Sequence, residues 1–122
     1  MARLYTSAIL LKGANCTVHP VVEKIIREFH DQSKPIAAFC IAPALIARVL
    51  GSNEVELTVG NDPEVSAQIN KTGAQHIECA VDDYVTDRMN KVITSPAYMY
   101  EAQPFEVFTG IKQAISEFVE MA

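Results

Sequence analysis

The sequence predicts an α/β layered domain with a mainly parallel sheet. Apolar runs of strand length alternate with stretches at helical spacing along most of the chain. Ile36 to Cys40 is apolar without alternation, as a strand covered on both faces requires. Residues 104–121 then close the chain with an apolar stripe at helical period.

Taken in order, residues 1–12 permit a short helix whose ends nothing fixes. A helix over about 20–32 opens on Pro20, where a missing amide costs nothing. Its stripe is Val22, Ile25, Ile26 and Phe29, with Glu23, Lys24, Arg27 and Glu28 on the wet side. Strand 36–40 follows, and then a helix over 43–50 with Gly51 as its left-handed cap. Residues 54–59 alternate with period two and read as a strand. A turn at 60–63 leads to a helix over about 64–72 that stops at Gly73. A short strand spans 76–80, and a hairpin pairs 84–86 with 91–95. The final helix is expected to bury Phe105, Phe108, Ile111, Ile115, Phe118 and Val119. Two or three parallel strands are few for a doubly wound sheet, so the chain reads as part of a domain.

Length and composition narrow the function classes. At 122 residues, 49% hydrophobic and 20% charged, the chain is a single globular unit. A net charge of −5 without a basic stripe excludes a nucleic-acid partner. Cysteines at 16, 40 and 79 are too few and odd in number for a disulfide framework, and suit a reducing compartment. The apolar start, Leu4 to Leu11, is interrupted by Tyr5, Thr6 and Ser7 and lacks the cleavage site of a signal peptide. No run approaches the ~20 apolar residues of a membrane span. The expectation is a soluble intracellular protein with no membrane partner.

Cys40 is the first candidate for chemistry. A thiol where a buried strand turns into a helix stands where a nucleophile elbow presents its reactive atom. Amides at the start of that helix, and its dipole, would favour the thiolate. The alternative is a small apolar cysteine packed at a strand end. The histidines carry less. His19 precedes the helix proline, His30 suits a helix C-terminus, and His76 starts a strand. His76 with Cys79 is the only close pair of metal-ligand types, so no metal site is expected. Cys16 and Cys79 read as structural thiols, and Asp82 with Asp83 as a solvated pair or a cap. Tyr98 and Tyr100 pack over the region of Thr94, Ser95 and Pro96 or lie in a subunit contact.

From Gly13 onward the chain resembles the ElbB-like branch of the PfpI and class I glutamine amidotransferase-like superfamily. The branch holds bacterial proteins named for isoprenoid biosynthesis and mitochondrial relatives. The residues that carry the resemblance are Lys12-Gly13, Cys16-Thr17-Val18, Glu28-Phe29-His30, Lys34-Pro35-Ile36, Cys40-Ile41-Ala42-Pro43, Val59-Gly60, Val81-Asp82-Asp83 and Val92 to Met99. Cys-Ile-Ala-Pro combined with Thr-Ser-Pro-Ala-Tyr-Met is the specific part.

The resemblance implies an incomplete flavodoxin-like, amidotransferase-like sheet with a β-hairpin. Two further strand–helix units of the family, with an acidic partner for the cysteine and a Gly-Gly-Phe-Gly oxyanion loop, have no counterpart in these residues. It also implies a cofactor-free, glyoxalase- or deglycase-like action on small reactive aldehydes such as methylglyoxal. Cys40 is then the nucleophile and the Ile41 amide faces the oxyanion. Asn61, Thr94, Ser95 and Pro96 border the substrate, since such sheets bind ligands at strand carboxyl ends. Asn61 also fits a plain turn. Ile41 stands where amidotransferase relatives often have histidine, and Asn61 where others place one, which disfavours a Cys-His-Glu amidase. The rivals are a redox-sensing interaction protein with an oxidisable Cys40, and an inactive half-domain. Sheet surface left uncovered predicts a homodimer or larger assembly. The implied compartment is cytoplasmic, or the mitochondrial matrix in a eukaryote.

Overall fold

A computed structural model describes residues 13–122, so the expected helix over 1–12 and the interrupted apolar start lie outside the described residues. Helix α1 runs Pro20–Asp31, and the His19 ring accepts the Val21 amide at 3.1 Å to cap it. Strand β1 is Ile36–Phe39, and α2 is Pro43–Leu50. Strand β2 is only Glu56–Leu57, α3 is Pro63–Lys71 and β3 is only Gln75–His76. Strands β4 (Val85–Asp87) and β5 (Val92–Ser95) form the hairpin, and α4 is Pro104–Met121.

The sheet order is β1-β5-β4, with β1 parallel to β5 in the register Ile36 to Val92 and Phe39 to Ser95. The hairpin pairs Val85 with Thr94 and Asp87 with Val92 in antiparallel fashion. A separate parallel pair, β2-β3, sets Leu57 beside His76. Side chains rather than a ladder join this pair to the hairpin: Asp87 accepts the Glu56 amide at 2.9 Å and Thr94 the Thr58 amide at 3.0 Å.

Central strand β5 is buried along its whole length, as a strand with a neighbour on each side and helices on each face should be. Its alternation sends successive side chains to opposite faces. Val92 joins a core with Ile26 of α1, Ala38 of β1, Ile46 and Leu50 of α2, and Ile69 of α3. Ser95 points toward α4 and lies beside Gly110.

Two expectations are corrected here. Helix α4 buries Val107, Gly110 and Ala114, while Phe105, Phe108, Ile115 and Val119 are exposed. The reason is distance: a Cβ at position 110 would lie 2.5 Å from the Val81 carbonyl oxygen, so only a small-residue face fits so close to the sheet. Gly51 is not a left-handed cap, since its φ is −58°. It is glycine because a Cβ there would stand 2.2 Å from the Thr72 carbonyl oxygen; the left-handed residue is Glu54, φ +54°.

The apolar stripe of α1 is as expected but mostly uncovered: Val22, Ile25 and Phe29 are exposed and only Ile26 is buried. With Ile115 and Phe118 of α4, Ile25, Ile26 and Phe29 border a groove of about 420 Å³ beside β1. Among the described residues β1 pairs on one side only.

Candidate functional site

The elbow forms as the sequence requires. Strand β1 ends at Phe39, Cys40 turns left-handed at φ +64°, and Pro43 opens α2 three residues later. A non-glycine residue in that region costs about 1–2 kcal/mol, and such strain persists where surroundings fix it. Two contacts do so. The Cys40 amide donates to the Ser95 carbonyl at 3.1 Å, extending the β1-β5 pairing one residue, and the Ala42 amide closes the turn onto Phe39 O at 3.1 Å.

The thiol is half-buried, with Sγ 3.9 Å from the Met99 sulfur. Around it the amides differ in availability. Ala44 donates to Ile41 O at 3.0 Å and Leu45 to Ala42 O at 2.9 Å, while Pro43 has no N–H. Among the described residues no carbonyl accepts from Ile41 N–H. That amide follows the thiol directly, the position from which an elbow stabilises an oxyanion.

A second wall comes from the end of β5. Pro96 begins a tight turn over Ala97–Met99, closed by the Met99 amide on Pro96 O at 2.7 Å, and this carries Met99 to the thiol. Thr94 and Ser95 are fully buried. The Thr94 hydroxyl accepts the Thr58 amide, so it fastens one wall to another. The Ser95 carbonyl holds Cys40, and its hydroxyl faces the Ala97 amide at 3.5 Å.

The third wall is the segment after β2. Three successive amides there are held by side chains: Thr58 by Thr94 Oγ1 at 3.0 Å, Val59 by His76 Nε2 at 3.1 Å and Gly60 by Thr58 Oγ1 at 3.0 Å. Gly60 has φ +107°, and a Cβ there would meet the Tyr100 ring at 3.2 Å and Pro96 at 3.5 Å. Asn61 follows, exposed, and Asp62 caps α3 by accepting the Glu64 and Val65 amides at 2.9 and 3.2 Å. Tyr100 is held by its hydroxyl donating to Cys79 O at 2.6 Å.

Of the residues singled out in the sequence, Cys40, Ile41, Ser95 and Pro96 therefore meet at the carboxyl ends of β1 and β5. Asn61 hangs from the adjoining loop. Missed were Met99 as the neighbour of the thiol and His76 as a loop support. Neither has a local signal, because both act across the fold.

The other thiols differ. Burial pushes Cys79 up to about 12, with Asp83 and Asp82 adding to it, and burial raises Cys16 against the opposing charge of Arg48. His30 sits in the last turn of α1, and its Nε2 meets Asn90 Oδ1 at 2.9 Å. Among the described residues no three His, Cys, Asp or Glu side chains converge on a metal position. Nor is any described helix long and apolar enough to cross a membrane.

A left-handed cysteine between a parallel strand and a helix, in an α/β layered fold, is a nucleophile-elbow arrangement. No protein-family model matches the chain. It is 35% identical over 124 residues to the human "Glutamine amidotransferase-like class 1 domain-containing protein 3, mitochondrial", covering 94% of this chain and 46% of that protein. The rat "ES1 protein homolog, mitochondrial" is 33% identical with the same coverages. A crystal structure of an isoprenoid biosynthesis protein with an amidotransferase-like domain from Ehrlichia chaffeensis superposes with a TM-score of 0.78 at 31% identity. That match covers 88% of this chain and 49% of the other. The chain is a homologue of the ES1-type glutamine amidotransferase-like class 1 domain proteins, consistent with the ElbB-like branch. It spans about half the length of the curated relatives it matches.

Proposed function

We propose that this chain carries the nucleophile of a glyoxalase-like protein acting on small reactive aldehydes such as methylglyoxal. The observation that supports it most is Cys40 in left-handed conformation at the β1-to-α2 turn. In this reading the Cys40 thiolate adds to the aldehyde carbon, and the new oxyanion takes the Ile41 amide before it is protonated to a hemithioacetal. Hydrogen then passes from that carbon to the neighbouring ketone carbon, which converts the hemithioacetal to a thioester without an outside oxidant. Water hydrolyses the thioester, giving lactate and the free thiol. Where the source is eukaryotic, the names of the relatives support a mitochondrial location.

The test follows lactate from methylglyoxal with wild-type protein and Cys40→Ser at equal concentration. A rate at least tenfold lower in the variant supports the reading, and equal rates remove it. If neither protein turns over and peroxide oxidises Cys40 before the other thiols, the redox-sensing alternative takes its place.

A further inference from the structure

We propose that His76 is a positioning residue for the candidate site, its neutral ring holding the Gly60-Asn61 loop through the Val59 amide and releasing that amide when protonated. Nothing in the proposed chemistry uses this histidine, and it lies on β3, away from the elbow. Its ring is nevertheless built into the wall. Nε2 accepts from Val59 N–H at 3.1 Å, which places the ring proton on Nδ1. The His76 backbone is fixed in turn, because its own amide donates to Asn70 Oδ1 of α3 at 3.0 Å.

Of the three side-chain acceptors that hold amides 58, 59 and 60, two are threonine hydroxyls with no charge to change. His76 is the titratable one. An imidazolium has two donors and no acceptor, so at Val59 it would place N–H against N–H. The hydrogen bond must open, and the segment it anchors leads directly through Gly60, packed on Tyr100 and Pro96, to Asn61. Burial lowers the His76 pKa, opposed by the charge of Glu78. Leu57 from β2, paired with His76, and Asn70 from α3, which accepts its amide, bring no charge. The neutral, accepting ring is thus the form present at neutral pH, and acid removes it.

The role in substrate positioning rests on the function proposed above, but the coupling can be read without substrate. The experiment is a pH titration of uniformly 15N-labelled wild-type protein and of His76→Gln by NMR. Gln keeps a neutral acceptor at every pH. In the wild type, the Val59 and Gly60 amide resonances should shift in one step together with the His76 ring nitrogens, centred below the usual imidazole value. In His76→Gln that step should be lost. His19 and His30 belong to α1 and bond to Val21 and Asn90, not to the 58–60 segment. Amides that stay flat while the His76 ring titrates would overturn the proposal, as would the same step in the variant. The wild-type arm stands even if the variant fails to fold. Absence of methylglyoxal turnover would remove the enzyme reading and leave this result intact.

Discussion

The backbone amide of Cys40 donates to the carbonyl of Ser95, the last residue of β5, at 3.1 Å. This bond holds the left-handed cysteine at the end of the parallel pair and brings the Pro96 turn, with Met99, against its sulfur. The strain at position 40 and the thiol's surroundings therefore share one cause.

That strain is measurable. At an ordinary half-buried position alanine is more stabilising than glycine. At φ +64° the order should reverse, with Cys40→Gly more stable than Cys40→Ala by about 1 kcal/mol and Cys40→Val the least stable. Chemical denaturation of the three variants checks the order.

Gly51→Ala should be costly despite its ordinary helical φ. The new methyl would meet the backbone carbonyl of Thr72, which cannot rotate away. Overpacking of this kind costs about 1–3 kcal/mol, and a melt compared with wild type measures it. A loss confined to a few tenths would show that the two turns separate freely.

Asp87 supplies an acid-dependent part of the stability. Burial by itself would raise its carboxyl, but hydrogen bonds from the Asn90 backbone and side chain and from the Glu56 and Met89 amides outweigh it and leave the pKa lowered. A carboxylate depressed in the folded state stabilises above its unfolded value of about 3.9 and loses that contribution as pH falls through the folded value. Asp87→Ala should cost about 2–3 kcal/mol at pH 7, since buried amides lose their acceptor. Its deficit against wild type should shrink below pH ~4, which denaturation at several pH values tests.

The uncovered groove beside β1 predicts association. Exposed Ile25, Phe29 and Ile115, next to a strand that pairs on one side among the described residues, form the kind of surface that recruits a second chain. Sedimentation should show mass rising with concentration, and Ile25→Glu should shift it toward monomer. A wild-type monomer throughout the range would contradict this.

How much was legible depends on whether a feature is local. Ile36 to Pro43 encodes the elbow in consecutive residues, and the turn formed where the apolar strand and the helix proline required it. The hairpin and the bounds of α3 were local too. Strand β2 is shorter than the alternation over 54–59 suggests, because the amides of Thr58 and Val59 go to the Thr94 and His76 side chains instead of a ladder. No periodicity marks such long-range bonds. The buried face of α4 departs from its sequence stripe for a related reason. The stripe of large residues is real, but contact with the sheet requires the small face through Gly110 and Ala114. Phe105, Phe108, Ile115 and Val119 remain outside.

The most direct test concerns the sulfur itself. Iodoacetamide labelling read by mass spectrometry should modify Cys40 first, because Cys16 and Cys79 are buried with raised pKa values. Methylglyoxal, at a concentration that leaves free cysteine unprotected, should slow labelling of Cys40 reversibly. Labelling of Cys40 at an unchanged rate, or after that of Cys79, would contradict the account.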